Sequence, residues 1–116
     1  MPVSVTFCPL CNSALAFERT LEGKVFDFWV AGNLRNSDLI MWDRQIHTWW
    51  QQLTGEAIIG ELAGHRLPFI PPQIISWADF KEANPGALVL SRETGFSRLY
   101  GSNPYSGYDL VDRPPF

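Results

Sequence analysis

Residues 12–32 read NSALAFERTLEGKVFDFWVAG, and the fold class turns on whether they are helical or extended. Ala14, Phe17 and Leu21 fall at helical spacing, with Pro9 suited to a first helical position and Gly23 to a helix stop. Leu15, Phe17 and Arg19 also alternate with Ala14, Ala16 and Glu18, as in a strand. The second half carries Val25, Phe26, Phe28, Trp29 and Val30, side chains that fit a pleated surface. "LEGK", Leu21 to Lys24, then reads as a hairpin turn, because Gly23 takes a positive φ without a Cβ penalty. Strand–turn–strand is the favoured reading, with the helix as its competitor.

Outward from this stretch the signals are mostly extended. Val3, Val5 and Phe7 alternate with smaller or polar residues, a strand ending at Cys8. "NLRNSD", Asn33 to Asp38, is turn chemistry. Strands are expected over Leu39–Asp43, His47–Leu53 and Ala57–Leu62, the last with a bulge at Gly60. Pro68, Pro71 and Pro72 confine the following extended piece to an edge or a loop. One short helix is signalled near residues 76–84. Ser76 caps it, Asp79 completes a capping box, Trp77 and Phe80 form its apolar face, and Pro85 stops it. Ala87–Ser91 reads as a buried strand and Phe96–Tyr100 as a last one. The tail, about 101–116, is rich in Gly, Pro, Ser and Asn and reads as irregular. Short strands at this spacing predict a mainly β domain (α+β by count), a small antiparallel barrel or sandwich with one short helix.

Composition narrows the function classes. The 116 residues suit a single domain over 1–116, and 46 % apolar against 18 % charged residues suits a folded chain. The net charge is −3, without a basic stripe, so nucleic acid and anionic membrane surfaces are not expected partners. No apolar run approaches the roughly 20 residues of a membrane span. The start "MPVSVTFCP" lacks the basic and apolar regions of a signal peptide.

Cys8 and Cys11, the only two cysteines, are too few for a disulfide scaffold. Cys-Pro-x-Cys is useful in two settings. At a helix start the dipole and free N–H groups lower a thiol pKa, and the thiolate exchanges with disulfides. "FCPLC" resembles that start in glutaredoxins over about fifteen residues, but the βαβ pattern is missing and "LPFIPP" poorly matches their cis-proline segment. On a tight turn between strands, a knuckle, two thiolates point to one side as half of a tetrahedral site, with backbone N–H groups facing the sulfurs. Asn12 can supply the left-handed residue that ends such a knuckle. No second cysteine pair exists. His47 and His65 match no finger spacing, so a metal would be a soft ion such as Cu(I), or zinc held in a four-thiolate site shared by two chains of a homo-oligomer. Structural, buried thiols are the third reading.

A second dense region, "MWDRQIHTWWQQLTGE", offers Asp43, Trp49, Trp50 and Gln52 as a pocket of aromatic faces and polar clamps. Its competitor is adjoining strands with aromatics inside. His47 is read as a half-exposed strand residue and His65 as an exposed turn residue. No nucleophile elbow, phosphate loop, dinucleotide fingerprint or carboxylate pair is present.

The blocks "VTFCPLCNSALAFER", "GNLRNSDLIMWDRQ", "TWWQQLTGEAIIGELAG", "FKEANPGALVLS" and "YGSNPYSGYD" occur in order from about Val3 to Asp109. Together they resemble an uncharacterised prokaryotic family, domain of unknown function 3179. The resemblance implies no established activity. Its motif falls on Cys8, Pro9, Cys11, Phe17, Gly32, Ser37, Asp43, Trp50, Gln52, Gly55, Pro104 and Tyr105, and omits His47. It implies a strand after the second cysteine, hence the knuckle, and in similar proteins further sequence before the first strand. Three functions follow as expectations. The first is binding of Cu(I) or zinc through Cys8 and Cys11. The second is thiol–disulfide exchange, with the more exposed cysteine, expected to be Cys8, attacking and Cys11 resolving. The third is an aromatic-rich ligand- or protein-binding module.

Overall fold

The computed structural model describes residues 1–107, 110 and 112. The chain divides into two compact units, Met1–Gln73 and Ile74–Phe116. The first holds nine strands: β1 (Val3–Cys8), β2 (Ser13–Glu18), β3 (Thr20–Leu21), β4 (Lys24–Val25), β5 (Phe28–Arg35), β6 (Asp38–Asp43), β7 (Trp49–Gln51), β8 (Ala57–Ile59) and β9 (Phe69–Ile70). They form antiparallel sheets ordered β1-β2-β9, β3-β4 and β5-β6-β7-β8, and no closed barrel forms among the described residues. No helix there is long and apolar enough to cross a membrane.

The deciding stretch is extended throughout. β2 pairs with β1 from Cys8↔Ser13 to Val3↔Glu18, and the β3–β4 hairpin turns on Glu22 and Gly23, at φ 51° and 76°. Two positive φ values in a two-residue loop match the right-handed strand twist. As the prolines require, β9 is an edge strand, pairing Phe69 with Phe17.

The apolar face of β2 and the aromatic strands converge on one core: Phe17, Phe26, Met41, Trp50, Ala57, Leu62 and Leu67. Phe28 meets Trp50 edge-on, with centroids 5.8 Å apart, and Phe17 lies 5.0 Å from Phe69. In β1 the larger residues Val3, Val5 and Phe7 face outward, while Ser4, Thr6 and Cys8 are turned inward. Of these inner positions, Thr6 and Cys8 meet polar groups, described below.

Two local expectations shift. The irregularity between β7 and β8 lies at Trp49/Trp50 rather than at Gly60, which follows β8 directly. His47 is not on a strand. The carboxylate of Asp43 accepts from the backbone N–H groups of Ile46 and Thr48, at 2.8 and 3.1 Å, so the chain folds into a turn and β7 starts only at Trp49.

The second unit holds α1 (Trp77–Ala83). Ser76 caps it: the Asp79 N–H donates to Ser76 Oγ at 3.1 Å, and Ser76 Oγ donates to the Asp79 carboxylate at 2.6 Å. The strands expected over Ala87–Ser91 and Phe96–Tyr100 are not formed, and Leu88 and Leu90 are 96 % and 100 % exposed. β-Propensity there expresses fit to a sheet, and no ladder is present along these segments. The tail is turns and bends where described; positions 108, 109, 111 and 113–116 lie outside the described residues.

Gly55 carries a packing constraint. It sits at φ +65°, and a Cβ there would stand 2.8 Å from the ring of Phe17. Its N–H and C=O are committed to Gln51 and Leu67 at 2.9 and 3.0 Å, so the backbone cannot retreat freely. Gly55→Ala is expected to destabilise the protein by about 1–3 kcal/mol through overpacking and the left-handed backbone. A thermal melt should show a midpoint lower by several degrees; an unchanged midpoint would contradict this packing.

Candidate metal centre

Two tight turns meet to form the site. In the first, residues 9–12 link β1 to β2, and the strands close on the pair Cys8↔Ser13. Asn12 takes φ 50°, the left-handed conformation expected of it. In the second, Asn36 and Ser37 turn β5 into β6 at φ 54° and 61°, with Arg35 paired to Asp38. This two-residue turn delivers the Ser37 carbonyl and the Asp38 carboxylate to the cysteines.

The ligating atoms of Cys8, Cys11 and Asp38 all lie within 4.8 Å of one another. Cys11 Sγ donates to Asp38 Oδ1 at 3.4 Å and contacts Ser13 Oγ at 3.0 Å, while Cys8 Sγ donates to the Ser37 carbonyl at 3.9 Å. Each sulfur thus contacts oxygen and the two thiols neighbour each other, while among the described residues none of the backbone N–H groups expected of a knuckle bonds them. Both thiols are free.

Asp38 was not singled out in the sequence, and it is the residue that makes the pair a cluster. It is 2 % exposed. Its Oδ2 accepts from Gln51 Nε2 and from the Leu53 N–H, the latter at 2.9 Å. Those two donors fix the carboxylate plane and leave Oδ1 aimed at Cys11. The next residue, Gln52, faces the other way. Its Nε2 donates to Thr6 Oγ1 at 3.0 Å and to the Ser13 carbonyl at 3.3 Å, and its Oε1 accepts from Ser13 Oγ at 2.8 Å. Adjacent amides therefore hold the two turns, one each.

Exposure reverses the expected order of the thiols. Cys8 is 1 % exposed and Cys11 is the exposed one, because Cys8 shares the inward phase of β1 with Ser4 and Thr6. The Cys11 sulfur is nevertheless turned toward the buried Asp38. Burial of that sulfur pushes its pKa above the ordinary 9.0; the Ser13 hydroxyl opposes the shift, and Cys8 and Asp38 add to it. Cys11 is therefore mostly a thiol at neutral pH, a poor state for attack on a disulfide.

The four aromatic-region candidates do not gather into a pocket. Asp43 and Gln52 are fully buried with their polar atoms engaged inside the chain, and Trp50 is a core residue whose Nε1 donates to Asp43 at 3.0 Å. Trp49 is half-buried and lines a separate groove with Ile58 and Ile59. His47 is exposed, with its ring 5.3 Å from that of Trp42. His65 is half-buried, between the Leu62 carbonyl and Glu22 at 3.0 and 3.1 Å. Neither histidine belongs to the cluster.

The model of the family described as Protein of unknown function (DUF3179) matches residues 1–116. The chain belongs to this family. No curated protein and no solved structure matches it. Several of the positions on which the resemblance rested lie together in space. Ser37 meets Cys8 and Gln52 anchors the turn of Cys8 and Cys11. Asp43 bonds Trp50, and Gly55 abuts Phe17. Pro104 and Tyr105 lie in the second unit, where the Tyr105 N–H donates to Asn103 Oδ1 at 2.9 Å.

The thiol environments give a direct test. In metal-free protein, an alkylating reagent should modify Cys11 and spare Cys8 until the chain unfolds. The rate at Cys11 should rise with a midpoint above pH 9.0, since a raised pKa lowers the thiolate fraction at every pH below it. Equal labelling of both cysteines, read by peptide mass mapping, would contradict the buried position of Cys8.

Proposed function

We infer that this DUF3179 chain binds a zinc ion through Cys8 Sγ, Cys11 Sγ and Asp38 Oδ1. The observation that carries the reading is the third donor: a buried carboxylate, already oriented by two hydrogen bonds, aimed at a pair of thiols. Metal ligands characteristically have such outer partners, which fix their direction.

The separation of Cys11 and Asp38 suits zinc. Tetrahedral zinc with Zn–S near 2.3 Å and Zn–O near 2.1 Å separates sulfur from oxygen by about 3.6 Å. Cys11 Sγ and Asp38 Oδ1 are 3.4 Å apart, so an ion would replace the shared proton with little movement. The carboxylate also discriminates between metals. Cu(I) favours thiolates alone, whereas zinc accepts sulfur and carboxylate together.

Thiol–disulfide exchange is supported less well, because one thiol is enclosed and the other has a raised pKa. An aromatic ligand module loses three of its four residues to the interior.

Protein purified without chelator should carry one zinc per chain, and adding zinc to stripped protein should raise its melting midpoint by mass action. Cys8→Ser/Cys11→Ser should abolish both effects. Gln51→Leu, which frees the outer oxygen of Asp38, should weaken zinc binding by about ten-fold or more. Equal and trace metal contents in the native chain and the double variant would end this reading.

A further inference from the structure

We propose that the ion's fourth coordination position is open to solvent and takes a neutral nitrogen donor of the imidazole class. This rests on the zinc reading above and goes on to say what completes the centre. A closed structural site needs four protein ligands, and a site with three keeps a position for an outside group.

Among the described residues, the cysteines, histidines, aspartates and glutamates supply three donors at this point. Of the other polar neighbours, the Ser37 carbonyl beside Cys8 is a neutral amide oxygen, outside the sulfur, imidazole and carboxylate donors that zinc takes. Ser13 Oγ already donates to Gln52 Oε1, and a hydroxyl is a weak zinc ligand while it keeps its proton. Cys8 and Asp38 are buried, whereas Cys11 and Asn12 are exposed, so access to the ion is from the Cys11 side.

Charge selects the class of donor. Two thiolates and a carboxylate around zinc leave the centre at net −1. The ion pairs among the described residues join Arg19 to Asp27 and Arg66 to Glu56, His65 contacts Glu22, and none of these reaches Asp38. A further anion would bring a second uncompensated charge to a partly buried site. A neutral donor adds none. The same charge argues against hydrolysis. Water on zinc ionises near neutral pH because the ion keeps much of its positive charge, and this donor set removes it. The centre is therefore suited to accepting an imidazole, such as a histidine side chain of a partner protein, rather than to activating water.

The test uses the full chain with Co(II) in place of zinc. Thiolate-to-metal absorption reports the bound ion, and the visible d–d bands report its coordination shell. Imidazole should change the d–d bands saturably with the ion retained, and azide should require a concentration about ten-fold higher or more, the penalty of adding a charge. If Co(II) binds with thiolate absorption but imidazole leaves the d–d bands unchanged, the open position is refuted while the metal site stands. If azide acts as readily as imidazole, the charge argument fails. If native mass spectrometry finds two chains around one ion, a second copy supplies the fourth donor and the proposal is overturned. If no thiolate absorption develops, the zinc reading itself has failed.

Discussion

The side-chain amide of Gln52 is the connection on which the site depends. It is fully buried, and it joins β1 through Thr6 and β2 through Ser13 to the end of β7. A buried amide left without partners costs about 1–3 kcal/mol, so the polar inner face of β1 and the amide require each other. This explains why β1 turns Thr6 inward, which sets the phase of the strand and leaves Val5 and Phe7 outward. It also explains why Cys8, in the same phase, is enclosed while Cys11 lies on the turn beyond. Gln51 performs the matching task for Asp38. Two neighbouring residues with opposite directions thus hold two turns that are far apart in the chain.

That arrangement concentrates acidic groups where water is scarce. Asp38 is buried without a cationic partner among the described residues, and its oxygens meet a glutamine amide, a backbone N–H and a thiol. Burial pushes the pKa of the Cys11 thiol up, and the neighbouring Cys8 and Asp38 add to the shift. A divalent ion in place of the thiol protons would remove that conflict, since one cation would then offset the cost of burying three anionic ligands.

Much of the fold was legible because it is local. Alternation in β1 and β2, positive φ at Asn12 and Gly23, the edge strand among prolines and the Ser76 cap each follow from a few adjacent residues. What depended on partners was not legible. Ala87–Ser91 has the composition of a strand, yet composition does not provide a neighbouring strand. His47 lost its strand to the carboxylate of Asp43, a contact between side chain and backbone that periodicity does not encode. At the site, the cysteines and the left-handed Asn12 could be read, but Asp38 could not. It contacts Cys11 across 27 positions, and its only sequence sign was a turn signal ending in an acid, a pattern common on any surface. The order of thiol exposure was missed because the inward face of β1 is its polar one, against the usual direction.

The sequence distance that hid Asp38 would also give a bound metal its structural leverage. A cross-link acts largely by restricting the unfolded chain, and its effect grows slowly with the loop it closes, reaching roughly 3 kcal/mol for a loop of about 15 residues. Both cysteines are free, so this chain has no covalent link of that kind. An ion joining the turn between β1 and β2 to the turn between β5 and β6 would close a longer loop than that, and would tie together strands that belong to separate sheets. Without the ion, the connection rests on a thiol–carboxylate hydrogen bond and the amides of Gln51 and Gln52. A three-donor centre would therefore stabilise the junction of two sheets while leaving one coordination position uninvolved in that task.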